Sequence, residues 1–391
     1  MDFEIYPVSD IPMSDVKLLG HDKIVENLVK FLESDKIITP LSIAIHGDWG
    51  SGKTGIMQSL SKKLDSSKSD VIFFEAWKYE YSSPAIALVN QIIQQYRKSE
   101  NADQIKRILE LAVYLLGQKL LNIDTKEIIR IFNDKTNDCT VFSYSIKALL
   151  DKHLGKKKLV VIIDDLDRCD VENTLQILAL MKLFLDVENC ICIAAVDLNR
   201  LQQAWKQKYG NVENDVEIGY LDKIFQIKIN LHTPTNEQIR VLLQELVPGI
   251  KEDVLTLFSN LISKNPRAIK RTLNLISYRQ LLLSSNHKQL SASLWTILEE
   301  ILQIKPLITL CNVLSKNGNS LSHLMFTNGQ NWTEIKSAIM DKHHLLNSKT
   351  IESEKLKFYF ETSKKILDTL AIDEKTLNSD FEILYSTTKQ D

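Results

Sequence analysis

Residues 43–60, IAIHGDWGSGKTGIMQSL, admit few arrangements. A run of apolar, β-prone residues gives way to Gly47, Gly50 and Gly52, then to Lys53, Thr54 and a helix-forming stretch. Each ordered glycine costs conformational entropy, so three glycines this close together at a strand end need a physical reason. Successive backbone N–H groups can wrap a tetrahedral anion only where no Cβ blocks the loop. GDWGSGKT fits G-x-x-x-x-G-K-[ST] in full and stands between a predicted strand and a predicted helix, the context that chemistry requires. The helix start adds partial positive charge. Gly47, Asp48, Trp49, Gly50, Ser51, Gly52, Lys53, Thr54 and Gly55 are therefore the expected nucleotide-binding residues. Lys53 would reach the β- and γ-phosphates, and the Thr54 hydroxyl would ligate Mg²⁺.

The elements around this loop alternate. GHDKIVENLVKFLES places Ile24, Leu28, Phe31 and Leu32 on one helical stripe. LSIAIH is a strand, Lys53 to about Leu64 a helix, and Val71–Trp77 a second strand, with Pro84 opening another helix. KKLVVIID reads as a central strand, apolar on both faces. A helix over Glu172–Asp186, the strand CICIAAV and a fifth strand in KIFQIKINL follow. Cys190 and Cys192 should share one face of a buried strand. Beyond about residue 235 the pattern turns helical and stays so. The expected fold is α/β, a parallel sheet flanked by helices with an all-helical C-terminal region. The core is expected over 1–235 and the helical region over 236–391. Lys53 and Asp164 stand farther apart than one extra strand and helix need, so about 100–150 reads as a helical insertion.

A magnesium nucleotide site also needs a carboxylate at the end of a neighbouring strand. LVVIIDDLDRC supplies one, since Asp164 directly follows five apolar residues. Asp164 should hold the metal through its water shell, and Asp165 should orient or deprotonate the attacking water. Asp167 and Asp170 read as turn and helix-capping residues. Arg168 stands where an arginine could reach a γ-phosphate in its own or a neighbouring subunit.

With these residues placed, the chain resembles the KAP family of P-loop NTPases. Beyond GDWGSGKT, the likeness rests on FFEAWKYE (Phe73–Glu80), IIDDLDRC (Ile162–Cys169), YLDKIFQIKINL (Tyr220–Leu231) and NPRAIKRTLN (Asn265–Asn274). All occur in the family's order, over roughly residues 15 to 285. The resemblance implies an additional-strand fold related to STAND ATPases, ATP and Mg²⁺ as cofactors, and ATP hydrolysis. It implies assembly into a homo-oligomer or with partner defence proteins, since several bacterial relatives are linked to bacteriophage exclusion. Arg267 matches a nucleotide-sensing arginine at a helix start, with Lys270 and Arg271 on following turns. Asp197 lies where the class keeps a polar sensor, although it also reads as a helix cap. Gly20–Lys23 fall where relatives touch the adenine. Three departures stand out. The second acidic position, usually Glu in the additional-strand class, is Asp165 here, shorter by one methylene. The family's usual asparagine in FNAWRYE is Glu75, and the paired membrane spans many members carry between the two motifs are missing.

Composition narrows the rest. The 391 residues are 44% apolar, enough for two domains or more. The 48 basic and 50 acidic residues nearly cancel, so nothing global invites nucleic acid, although Lys156–Lys158 and the basic positions 264–271 keep it open. The five cysteines form no C-x-x-C pair and read as reduced thiols of a cytoplasmic protein. MDFEIYPVSDIP has no basic or apolar signal region. The most apolar stretch, Leu294–Leu314, carries four charge or proline interruptions and reads as a buried helix pair. His343–His344 lacks a partner at metal spacing. The resulting expectation is a cytoplasmic, Mg²⁺-dependent ATPase whose hydrolysis drives a conformational or oligomeric switch. Two rivals stay open: a scaffold gated by ATP or ADP with little turnover, and a nucleic-acid-stimulated ATPase.

Overall fold

A computed structural model describes residues 5–10, 19–95, 157–184, 187–202, 221, 223–284, 286–302, 353–370 and 372–385. The expected insertion at about 100–150 and the His343–His344 pair lie outside the described residues. The chain divides into two compact units, one spanning Pro12–His232 and the other comprising Met1–Ile11 with Thr233–Asp391.

The first unit is built on five parallel strands: β1 (Leu41–His46), β2 (Ser69–Glu75), β3 (Lys158–Asp164), β4 (Cys190–Val196) and β5 (Ile227–Asn230). Their order is β2-β3-β4-β1-β5, every pair parallel. Parallel neighbours need crossover connections, and the helices supplying them cover both faces. Alternation along the strands sorts the core. Ile43, Ile45, Val160, Ile162, Ile191 and Ile193 face α1 (Asp22–Leu32) and α2 (Lys53–Lys63). Val161, Ile163, Cys190, Cys192 and Ala194 face α3 (Pro84–Gln95) and α4 (Val171–Phe184). Cys190 and Cys192 thus share one face, as the alternation requires.

Three expected elements are shifted. The buried stripe of α1 is Val25, Leu28 and Leu32, whereas Phe31 is 42% exposed. Spacing alone could not choose between neighbouring stripes of one helix. The second strand begins at Ser69 and stops at Glu75, because its partner runs from Lys158, opposite Ser69, to Asp164, opposite Glu75. Beyond the ladder the chain closes into a 3₁₀ turn, Ala76–Tyr79, and Trp77 lies outside the strand. The fifth strand is only Ile227–Asn230. Before it, Ile224 and Phe225 are buried, and Ser42 donates its hydroxyl to the Ile224 carbonyl and its amide to the Gln226 side chain in place of a ladder.

The second unit is helical: α5 (Asn236–Leu246), α6 (Glu252–Leu261), α7 (Pro266–Leu282), α8 (Lys288–Leu302), α9 (Ser353–Leu370) and α10 (Glu374–Tyr385). Thr235 and Gln238 form a reciprocal capping box on α5. Asn265 caps α7 and Pro266 occupies its first position. Residues 5–10 lie along α7. Asn274 receives the Val8 amide and donates to its carbonyl, Lys270 donates to Ser9 and Gln280 to Ile5, while Arg267 pairs with Asp10. Among the described residues, no helix is long and apolar enough to cross a membrane.

Candidate functional site

In an open parallel sheet, the loops leaving the carboxyl ends of the strands form the binding crevice. Here β1 delivers the glycine loop and β3 the acidic cluster, and both belong to the Pro12–His232 unit. The glycines earn their places sterically. A Cβ on Gly47 would lie 2.7 Å from Ser51 Oγ and 3.1 Å from Leu231 Cβ. Gly52 has φ +99°, a conformation side chains resist, and its Cβ would lie 3.1 Å from His21 Cε1. Lys53 then opens α2, and its ammonium is buried. Nζ donates to the Gly47 carbonyl at 2.6 Å and the Asp48 carbonyl at 3.2 Å, and it pairs with Asp167 Oδ2 at 3.3 Å.

Asp164 ends β3 and is 1% exposed. Its Oδ1 accepts the Asp165 amide at 2.9 Å, and Oδ2 is buried with no hydrogen-bond partner among the described residues. Burial first, then the Asp165 charge, pushes the Asp164 carboxyl up to about 7, while the Asp165 amide and the Thr54 hydroxyl beside it favour ionisation. Thr54 thus lies close enough to Asp164 to favour its ionised form, and one carboxylate oxygen is still to be satisfied. Among the described residues, no three His, Cys, Asp or Glu side chains are arranged to hold a metal by themselves. The donor set suits Mg²⁺ held jointly with nucleotide phosphates and water, the usual habit of that ion.

Asp165 sits in the left-handed region, φ 56° and ψ 28°, an uncommon conformation for a residue with a Cβ. Burial raises its carboxyl pKa, and the Arg168 guanidinium opposes that rise. Arg168 Nε lies 2.9 Å from Asp165 Oδ1, and the guanidinium lies 5.5 Å from the centre of the Trp77 ring. Glu75 stands opposite Asp164 across the β2–β3 ladder, pairs with Lys78, and is close enough to raise Asp165 further. The FFEAWKYE and IIDDLDRC segments are thus knit into one cluster. Glu80 strengthens it by accepting the Asp170 amide at 2.8 Å and, through its carbonyl, the Asn173 amide group at 2.9 Å. Trp77, Tyr79 and Tyr81 extend along its outside, Tyr79 stacked on Phe74.

The structure brings together Gly47–Gly55, Asp164, Asp165 and Arg168. Asp197 follows β4, and its carboxylate accepts the Asn199 and Arg200 amides at 3.1 and 3.2 Å, the geometry of a helix cap. Arg267 belongs to the other unit, where it is engaged with Asp10. Lys157 and Lys158 serve the fold: Lys157 pairs with Asp70, and Lys158 donates to the Leu32 and Ser34 carbonyls at the end of α1. Asp170 caps α4 through the Asn173 amide, as its position suggests. Asp167 lies in the turn Leu166–Arg168, as its position suggests, but it has a second role. It is buried and is the acidic partner of Lys53. His21 was also missed as a loop contact. It is buried beside Gly52, and burial lowers its pKa despite the opposing Asp22 charge. No sequence spacing signals either contact.

A family model described as the KAP family P-loop domain matches residues 21–283. No curated protein matches the chain. Among solved structures, the Aeropyrum pernix ORC1 protein in complex with DNA is similar at 12% identity, covering 96% of this chain and 94% of that one, with a TM-score of 0.40. Drosophila ORC bound to DNA is similar at 12% identity, covering 87% and 85%, with a TM-score of 0.29.

Proposed function

Since the chain belongs to the KAP family of P-loop domains, we propose that it binds Mg·ATP in the glycine loop and hydrolyses it. One observation carries the reading: Lys53 and Thr54 open α2 directly beneath a left-handed Gly52, with Asp164 against Thr54 and its Oδ2 unsatisfied. In this reading, backbone amides of Gly50–Thr54 hold the phosphates, Lys53 balances their charge, and Thr54 and Asp164 would hold the magnesium. The ion would supply charge neutralisation at the transferring phosphoryl group. Asp165 orients water, and an arginine, Arg168 or Arg267, stabilises charge in the transition state, a contribution of about 10³ to 10⁵ in rate where it has been assigned.

Hydrolysis is proposed to drive a conformational or oligomeric switch in the cytoplasm, with bacteriophage defence as the wider role by family likeness. The test is phosphate release from Mg·ATP by wild type and Asp165→Asn over a range of protein concentrations. Release that rises more than linearly with protein and disappears in the variant supports an assembly-dependent ATPase. Tight binding with no release by either protein overturns hydrolysis. A specific observation favours that second outcome, a nucleotide-gated scaffold: the short Asp165 carboxylate is already engaged by Arg168. Nucleic-acid stimulation would instead appear as salt-dependent binding to DNA or RNA.

A further inference from the structure

We propose that Asp167 competes with the nucleotide's phosphates for Lys53, so that binding must break a built-in ion pair and thereby loosens the arginine that holds Asp165. This deepens the nucleotide reading above and rests on it. An ammonium has three donors and no more. Two donors of Lys53 go to loop carbonyls, and the Asp167 carboxylate lies 3.3 Å from Nζ as an ion pair, with no hydrogen bond among the described residues to fasten its Oδ2. A phosphate oxygen that draws Lys53 toward the loop does so against this one charged partner. The displaced partner is Asp167. The carbonyls are neutral and fixed by the loop, whereas a carboxylate and a phosphate repel each other at such range in a poorly solvated site.

Displacement matters because of where Asp167 sits. Its side chain is 2% exposed and that of Lys53 is 8% exposed, so neither charge can turn to water when the pair opens. Asp167 also lies within electrostatic reach of Asp164 and Asp165. Asp167 is the middle residue of the turn Leu166–Arg168, which follows the left-handed Asp165. A shift of Asp167 passes through one peptide bond to Arg168, which holds Asp165 at 2.9 Å. Occupancy of the phosphate loop is thereby coupled to the freedom of the carboxylate assigned to the water. Asp167 acts through Lys53 and Arg168 and is a positioning residue.

The test measures Mg·ATP affinity by calorimetry for wild type, Asp167→Asn and Asp167→Glu, with thermal unfolding in the absence of nucleotide. The Asn variant should bind about tenfold tighter, because a buried competing charge is gone. It should also melt lower without nucleotide, because Lys53 loses its counter-ion. The Glu variant should stay near wild type on both counts. Should the Asn variant fail to fold, Asp167→Ser, which keeps an uncharged acceptor, is read the same way. Unchanged affinity, with or without loss of turnover, overturns the competition. Weaker binding in the presence of Mg²⁺ alone assigns Asp167 to the metal and overturns it as well. A wild type that binds no nucleotide overturns the underlying reading and this inference with it, and is recognised by failing before any variant is compared.

Discussion

Gly52 shows how much a single position can carry. Its φ of +99° lets the loop turn into α2, and the missing Cβ leaves room for the buried His21 ring. Gly52→Ala meets both constraints at once: left-handed backbone costs about 1–2 kcal/mol for an ordinary residue, and the ring must move as well. The expected outcome is a lower melting temperature together with at least a tenfold loss of nucleotide affinity. A variant that melts lower but binds as wild type would mean that the backbone direction at Gly52 has no part in holding phosphate. The glycines of this loop are legible because its backbone demands them: a left-handed φ at Gly52 and no room for a Cβ at Gly47. Asp167 was not legible. Its role depends on Asp165 taking a left-handed conformation that sequence does not announce, and that turn carries it back to Lys53. The same four letters, DDLD, would suit an ordinary capped turn.

At the scale of elements, strand and helix type followed from periodicity, while their ends followed from partners. β2 ends at Glu75 because β3 ends opposite it, and β5 is short because Ser42 satisfies the preceding segment through other groups. Neither partner is visible along one strand. Caps, by contrast, are local and stronger signals. Asn265 before Pro266 announces the start of α7, and the Asn265 side chain accepts the Arg267 amide at 3.0 Å and the Ala268 amide at 3.3 Å. Asn265→Ala should cost the helical unit about 1 kcal/mol, the usual value of such a cap. Asn274→Ala removes both bonds to Val8, each worth about 1 kcal/mol net, and so should cost more than the cap. Thermal unfolding of the two variants ranks them. A cap loss exceeding the Asn274 loss would show that residues 5–10 add little to α7. Sequence alone groups that segment with the first unit, since six residues without periodicity carry no pattern that names the helix they lie on.

For the molecule as a whole, the acidic cluster makes stability and ligand binding properties of pH. Asp164 has an ordinary carboxyl value of 3.8 when exposed and about 7 in the fold, burial being the main cause. A carboxyl raised in the folded state binds a proton on folding throughout that interval. Stability should therefore fall as pH rises from about 4 to about 7, by at most about 1.4 kcal/mol per pH unit, and be independent of this group above it. The raised Asp165 carboxyl acts in the same direction. Magnesium needs the ionised carboxylate, so binding Mg·ATP below pH 7 must expel the proton that folding took up. The rise in melting temperature produced by Mg·ATP should consequently grow between pH 6 and pH 8. The γ-phosphate titrates in the same range, so the nucleotide-free stability profile, which no phosphate touches, is the measurement that isolates Asp164. The Asn variant, which carries no proton to expel at this position, should gain little from nucleotide at any pH and should lose the Asp164 share of the fall in stability between pH 4 and 7, keeping only what Asp165 contributes. Parallel profiles for the two proteins would place the proton elsewhere and remove Asp164 from the metal's water shell.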